Sequence, residues 1–99
     1  MAYNSPKQFE WNDQKNRSNF KKHGVWFEEG KTLWSNPDSI EFFDPAHSKD
    51  EDRFIRVGYS TANGILLVVF CEKEEGQTIR IISARKATTK EVTEYEEGI

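Results

Sequence analysis

Two short stretches of the sequence concentrate basic side chains that could bind phosphate. They are residues 15–23 and residues 76–90, and neither stretch contains an acidic residue. Their basic residues are Lys15, Arg17, Lys21, Lys22, Arg80, Arg85, Lys86 and Lys90. An arginine guanidinium presents forked N–H donors that match phosphate oxygens. We therefore predict an anion site at Arg80, inside the apolar stretch TIRIISA, with Arg85 as a second contact; an ion pair between Arg80 and an acidic segment is the alternative.

A histidine ends the first basic stretch. In a helix, Lys15, Asn19 and His23 recur every four residues, so they share one face with Lys22. An imidazole titrates near neutral pH, and beside these cations it could act as a general acid or base on a phosphate ester. The alternative interpretation is that His23 caps the helix terminus, where its charge would interact favourably with the helix dipole.

The stretch RFIRVGYS adds a further arginine and a tyrosine. Strand alternation puts Arg53 on the same face as Ile55, Val57 and Tyr59. Arg53 is therefore a second candidate for phosphate binding, whereas Arg56, on the opposite face, is expected to point to solvent. Tyr59 could stack on a base or donate to a phosphate, although packing against the core is the more common role of a tyrosine.

Metal and cofactor chemistry has weak support in the sequence. Asp44, His47 and Asp50 could form part of a hydrolytic metal site, but their spacing is not typical of a metal-ligand motif, and a solvated loop is the simpler interpretation. Phosphate-binding glycine loops, dinucleotide fingerprints and zinc-protease motifs are absent from the sequence. We predict neither a metal ion nor a cofactor.

Composition sets the remaining limits. The chain has 99 residues, a formal net charge of -3 and one cysteine, Cys71, in an apolar run that is typical of a buried inert thiol. The net charge alone argues against a nucleic-acid-binding protein, but many of the acids lie in residues 41–52 and 91–97, outside the basic stretches. The sequence has neither a targeting segment nor an apolar run long enough to span a membrane, so we expect a cytoplasmic protein.

The elements that must position these residues follow from hydrophobic periodicity. QFEW predicts an edge strand, DQKNRSNFKKH a polar helix between the cap residues Asn12 and Gly24, and VWFEEGKTLWSNP a second helix. SIEFFD, RFIRVGYS, ILLVVFCE and TIRIISA predict strands of an antiparallel meander, and TTKEVTEYEE a last helix capped by Thr88 or Thr89. On the last strand, strict alternation places Arg80 with Ile82 and Ala84, opposite Ile79, Ile81 and Ser83.

We therefore predict an α+β fold for residues 1–99 as a single domain. Its antiparallel sheet would have about four to five strands, with two N-terminal helices and one C-terminal helix. The first helix is too polar to be buried, so its face of Lys15, Asn19, Lys22 and His23 is expected to lie in water or against a ligand.

Over about residues 9–97 the sequence resembles the BrnT-type toxins of bacterial type II toxin-antitoxin systems. The segments that carry the resemblance are KHGV at residues 22–25, followed by FEE, then DRF at residues 52–54 and RIISARKAT at residues 80–88. The resemblance implies a fold like that of the RelE-type ribonucleases and metal-independent endoribonuclease activity that arrests growth. It also implies a BrnA-like ribbon-helix-helix antitoxin as partner, with the complex binding operator DNA.

By this resemblance the catalytic positions are His23, Arg53 and Arg80, with Arg85 and Lys15 as further RNA contacts; Lys22 and Tyr59 complete the predicted RNA-binding set. The predicted chemistry is attack of the RNA 2′-hydroxyl on the adjacent phosphorus, with Arg53 and Arg80 holding the nonbridging oxygens and His23, or alternatively Lys15, moving a proton. The alternative is a non-catalytic binding module whose basic face docks an acidic partner or nucleic acid.

Overall fold

One five-stranded sheet organises the computed structural model, which describes residues 8–49 and 51–98. Its strands, in the order β1-β5-β4-β3-β2, are β1 (Gln8–Glu10), β2 (Ile40–Phe43), β3 (Phe54–Tyr59), β4 (Ile65–Lys73) and β5 (Thr78–Lys86). Strands β2 to β5 form the predicted antiparallel meander. Strand β1 pairs in parallel with β5, so the sheet is mixed and the predicted purely antiparallel sheet is wrong at this edge. A three-residue strand can bond a free sheet edge in either direction, and its sequence does not reveal which one.

The helices are α1 (Asp13–His23), α2 (Phe27–Gly30) and α3 (Thr89–Glu96). The side chain of Asn12 accepts a hydrogen bond from the Lys15 N–H, and Gly24 ends α1 in the left-handed region, as predicted. The predicted second helix is only one α-helical turn, followed by a 3-10 helix over Lys31–Ser35. A further 3-10 turn spans Pro45–His47. In the part of the chain that is described, no helix has the length and apolar character needed to cross a membrane.

The two faces of the sheet carry different cores. The helix face packs against α1 and α2, and its buried side chains are Val25, Phe27, Leu33, Leu66, Val68, Phe70, Ile79, Ile81 and Ala84. The open face has a smaller cluster of Val57, Ile65 and Leu67, which α3 covers at one end through Val92 and Tyr95. The rest of the open face therefore remains available for binding.

A β-bulge in the β4–β5 pair overturns the strict alternation predicted for β5. Val69 pairs with Ser83 whereas Phe70 pairs with Ile81, so Ile82 is the extra residue. As a result Ala84 is buried on the helix face with Ile81, not on the face of Arg80, and Ser83 turns to the open face. Because one inserted residue reverses the alternation, Arg85 reaches the same face as Arg80.

Helix α1 packs on the sheet through polar side chains, contrary to the expectation that it would not be buried. Asn16 and Asn19 are 6% and 7% exposed. The Asn19 amide donates to the carbonyls of Ala84 and Val25 and accepts from the Ala84 N–H. Strand β1 pairs with β5 only as far as Arg80, so Asn19 replaces the missing neighbour strand at Ala84. Asn19 is therefore not available to a ligand.

Replacing Asn19 by alanine is expected to lower the free energy of unfolding by roughly 2 to 3 kcal/mol, because Ala84 N–H and two carbonyls would remain buried without partners. Urea denaturation measures the change. The exposed Ser18, on the same helix, provides the control, and Ser18→Ala should change the stability by less than about 0.5 kcal/mol. Equal stabilities of the two variants would contradict the structural role of Asn19.

Candidate anion-binding site

Two of the predicted catalytic residues lie in one row across the open face of the sheet. Cys71 of β4 pairs with Arg80 of β5, and Arg53 directly precedes Phe54, which pairs with Phe70. Arg53 and Arg80 therefore flank Cys71, and the charges of both act on its thiol. Two strand spacings separate their backbones by about 10 Å. The two guanidinium groups can thus bind one phosphate or two neighbouring phosphates of a single strand.

Arg80 is already partnered by a carboxylate that the sequence did not indicate. Its Nη1 lies 3.2 Å from Oε2 of Glu10 on β1, and Lys73 Nζ lies 2.9 Å from the same oxygen. The hydrogen bond from Lys73, followed by that from Arg80, lowers the pKa of Glu10. The side chains of Arg80 and Glu10 are 36% and 39% exposed, so the pair is a weak one. A phosphate dianion or diester could compete with Glu10 for Arg80.

Arg53 and Cys71 complete the row, the first as an unpaired cation within the described residues and the second as a neutral thiol. Within residues 8–49 and 51–98 no ion pair joins the Arg53 guanidinium, which lines a groove beside Asp44. Burial, and then the hydrogen bond to Glu51, raise the pKa of the Cys71 thiol to about 11. Cys71 is therefore a neutral thiol near pH 7, as expected for an inert core cysteine, and Arg53 retains its full hydrogen-bonding capacity.

His23 and Arg85 form a second group at the β5 edge. Burial lowers the pKa of His23, and the charges of Lys22 and Arg85 lower it further. The imidazole is consequently neutral at pH 7 and suited to accept a proton. Arg85 lies five residues beyond Arg80, about 16 Å along the strand. The structure therefore does not bring His23 to the same phosphate position as Arg53 and Arg80.

Arg85 is held by a carboxylate of helix α3. Its two terminal nitrogens donate to Oε1 and Oε2 of Glu91 at 2.8 and 2.9 Å. Glu91 also accepts from the Thr88 N–H in the capping box that begins α3. The Arg85 hydrogen bond lowers the pKa of Glu91 from 4.5 to about 2. The predicted RNA contact at Arg85 is thus paired in this structure, and a phosphate would have to replace Glu91.

The remaining predicted residues lie apart from both groups. Tyr59 is exposed, donates through its hydroxyl to Glu96 Oε2 at 2.8 Å, and has a raised pKa because of that bond. Six residues of strand separate it from Arg53, or about 20 Å. Lys15 and Lys22 are exposed on α1. The prediction for Tyr59 receives no support from the arrangement, whereas the two lysines remain able to contact a bound strand.

Arg56, expected to point to solvent, instead lies half-buried on the helix face. Its guanidinium donates to Glu41 Oε1 at 2.5 Å and to Ser39 Oγ at 2.7 Å, and its carbon Cζ lies 4.7 Å from the Trp34 ring centroid. The ion pair and the cation-π contact indicate that Arg56 stabilises the fold and is not part of a binding surface.

An apolar groove of about 690 Å³ runs along the open face between β2 and α3. Its charged lining comes from Asp44, Arg53, Arg85, Glu91 and Glu94. Within the described residues no group of three or more His, Cys, Asp or Glu side chains is placed to hold a metal ion. Asp50, one member of the metal site considered above, lies outside the described residues. The groove therefore presents arginines as its evident anion-binding groups.

Replacing Glu91 by glutamine is expected to lower the free energy of unfolding by about 1 kcal/mol at pH 7, because a bidentate but partly exposed ion pair is lost. The pKa of Glu91 is depressed in the folded state, so its stabilisation is complete above pH 4.5 and is lost as the pH falls toward 2. Urea denaturation at several pH values should show the two proteins converging below pH 4.5. Glu94→Gln, on the same helix, is the control. A difference in the free energy of unfolding between wild type and Glu91→Gln that does not change with pH would contradict the ion pair of Glu91 with Arg85.

Comparisons with known proteins were consistent with one another. The family model described as ribonuclease toxin, BrnT, of type II toxin-antitoxin system matches residues 11–91. The 1.1 Å crystal structure of the Brucella abortus ribonuclease toxin BrnT is similar in fold, with a TM-score of 0.60 and 23% sequence identity. That match covers 83% of this chain and 97% of that chain. No curated protein matches the chain.

Proposed function

The chain belongs to the BrnT family of ribonuclease toxins of type II toxin-antitoxin systems, and we propose that it is an endoribonuclease that cleaves RNA without a metal ion. The observation that carries the proposal is the pair of guanidinium groups, Arg53 and Arg80, on one open sheet face. Preorganised donors of this kind stabilise the negative charge that develops on a phosphate during attack. Family membership implies an RNA substrate and an antitoxin partner.

The proposed reaction is a transesterification within the RNA strand. The 2′-oxygen forms a bond to the adjacent phosphorus while the bond from phosphorus to the 5′-oxygen breaks, which leaves a 2′,3′-cyclic phosphate and a 5′-hydroxyl. One proton leaves the 2′-hydroxyl and one is delivered to the departing 5′-oxygen. The need for a 2′-hydroxyl restricts the reaction to RNA and removes the need for an external nucleophile.

The residues are assigned to positions along one strand of RNA. Arg53 and Arg80 bind nonbridging phosphate oxygens in the row across the sheet. Cleavage requires Arg80 to leave Glu10 and extend along β5 toward the β5 edge, where His23, neutral because its pKa is lowered by burial and by neighbouring cations, accepts the proton of the 2′-hydroxyl. Arg85 binds the phosphate there in exchange for Glu91. We place Lys15 and Lys22 along the flanking backbone, where their charges add affinity without base specificity.

For the partner we propose a ribbon-helix-helix antitoxin that covers the arginine row and, in complex with this chain, binds operator DNA. A carboxylate of this partner would replace RNA at Arg53, whose guanidinium is unpaired within the described residues. A cytoplasmic location follows from this role. A gene for a short ribbon-helix-helix protein directly beside the gene for this chain would identify the partner.

Induced expression in bacteria tests the proposed function. Wild-type protein should arrest growth and fragment cellular RNA, and co-expression of the neighbouring antitoxin should restore growth. Growth arrest with intact RNA would favour the alternative of a non-catalytic binding module. Harmless expression of folded protein, with intact RNA, would contradict the proposal.

A further inference from the structure

Phe20 and Trp26 form an exposed aromatic pair on the outside of α1. Their ring centroids are 4.2 Å apart and their planes differ by 11°, so the rings are stacked. The exposed fractions are 38% for Phe20 and 42% for Trp26. Neither ring belongs to the two core clusters or to the proposed cleavage site. A contiguous pair of exposed rings is a feature that commonly marks a binding surface.

The surroundings of this pair favour an anion. A shallow groove of about 420 Å³ is lined by Gln14, Arg17, Ser18, Phe20, Lys21 and Trp26, and it contains no acid. Arg17 and Lys21 are four residues apart on one side of the helix, and neither forms an ion pair within the described residues.

An adjoining groove, which Arg17 and Trp26 also line, carries the acids Asp13, Glu28 and Glu29. Glu28 accepts a hydrogen bond from Asn16, and Glu29 accepts from the Ala62 N–H. The groove lined by Phe20 and Lys21 therefore has two positive charges without an ion pair within the described residues, and no carboxylate in its own lining. Its charge complements an anionic ligand.

The combination of a ring face with two cations selects one class of ligand. Single-stranded nucleic acid offers, at every nucleotide, both an unpaired base to stack on an aromatic ring and a phosphate for the cations, whereas the carboxylates of an acidic polypeptide match only the cations. Phe20 precedes His23 by three residues, so the two side chains are neighbours on the helix surface. A strand that passes the β5 edge at His23 would next reach the aromatic pair.

We propose that Phe20 and Trp26, flanked by Arg17 and Lys21, form a second contact for single-stranded RNA, in which a base outside the cleavage position stacks on the aromatic pair. This proposal rests on the proposed function and specifies how the substrate strand is held. The contact adds affinity for long single strands and tolerates different bases, because every base has a ring face.

Fluorescence anisotropy with a labelled 2′-O-methyl oligouridine of about twelve nucleotides tests the contact, since this probe binds without being cleaved. Trp26→Ala should raise Kd by roughly five- to a hundredfold, the range associated with stacking of one base. Trp26→Phe should keep most of the affinity. Arg17→Gln should reduce the slope of log Kd against log salt by about 0.7, as expected when one phosphate contact of a single strand is lost.

Phe43, an aromatic residue of β2 that is 47% exposed, provides the matched control, and Phe43→Ala should leave Kd unchanged. The proposal is overturned if wild-type protein does not bind the probe, or if Trp26→Ala binds it as tightly as Phe43→Ala does. Displacement of the probe from the Trp26 surface by polyglutamate at equal concentration would also overturn it, in favour of a protein partner.

A parallel assay with cleavable RNA separates this proposal from the proposed function. Cleavage by wild type together with unchanged probe binding by Trp26→Ala overturns the aromatic contact alone. Binding that depends on Trp26 in a protein that cleaves no RNA overturns the nuclease function and supports the contact.

Discussion

Arg80→Ala is expected to lower the rate of RNA cleavage by about a hundred- to a thousandfold, and to relieve the growth arrest that is proposed for expression of the wild-type protein. The reason is that Arg80 extends from a strand whose neighbours Ile79 and Ile81 are buried, so its guanidinium is preorganised on the open face. Loss of one such donor to a developing oxyanion costs a factor of this size. Single-turnover cleavage of a defined RNA measures the effect.

Two further variants show whether the lower cleavage rate comes from the missing guanidinium donors rather than from a general loss of positive charge. Lys86→Ala removes an exposed cation from the same strand and should cleave at nearly the wild-type rate. Arg80→Lys keeps the charge but loses the forked donors, so an intermediate rate is expected. The ion pair of Arg80 with Glu10 is partly exposed, so Arg80→Ala should lose less than about 1 kcal/mol of stability. If Arg80→Ala is folded and cleaves RNA at the wild-type rate, Arg80 is not part of the catalytic site.

His23→Ala is expected to reduce cleavage by roughly a hundred- to ten-thousandfold, the range for loss of a general acid or base. A general base works when it is unprotonated. Because burial, Lys22 and Arg85 lower the pKa of His23, the acidic decline of the wild-type rate should have its midpoint below pH 6.5. The residual activity of His23→Ala should lack this acidic decline. The dependence of kcat on pH between about 4.5 and 8 measures both effects.

The neighbour Lys22 provides a separate readout of the same assignment. Lys22→Gln removes one of the charges that depress the pKa of His23, so the acidic decline of kcat should move to higher pH. A purely structural role of His23 would not produce this movement. An acidic decline that persists in His23→Ala would assign the proton transfer to another group.

Regular alternation made the open-face arginine Arg53 predictable, whereas the bulge made part of β5 unpredictable. Strand β3 pairs with β4 without interruption, so Arg53 lies on the face of Ile55 and Val57 as predicted. On β5 the same reasoning failed after Ile81, because an inserted residue reverses the alternation without a distinctive sequence signal. The sheet face of Arg80, which precedes the bulge, was therefore predicted correctly, whereas the face of Ala84, which follows the bulge, was predicted wrongly.

The acids that partner the arginines were missed for a different reason. Glu10 reaches Arg80 only because β1 pairs in parallel with β5, a long-range contact between residues that the sequence separates by 70 positions. The cap at Thr88 was predicted, but the bond between Arg85 and Glu91 depends on how α3 folds back over the sheet. Side-chain pairing across distant elements is set by the tertiary fold, which local patterns do not specify.

Helix α1 illustrates how a polar sequence can still be buried on one side. The absence of an apolar stripe suggested a solvated helix. However, the Asn19 amide forms hydrogen bonds with the carbonyl and the N–H of Ala84, beyond the point where β1 stops pairing with β5. A buried amide with its hydrogen bonds completed is stable without apolar contacts. The prediction failed because it treated polarity as exposure, and it consequently placed Asn19 on the ligand face.

Cleavage of RNA by internal transesterification at the arginine-lined face is the activity proposed for this protein. The most direct measurement incubates purified wild-type protein and Arg80→Ala with a defined RNA in excess EDTA and identifies the new ends. The predicted result is cleavage by the wild type alone, with 2′,3′-cyclic phosphate and 5′-hydroxyl ends. Intact RNA with folded wild-type protein, or cleavage that begins only when Mg²⁺ is added, would contradict the claim.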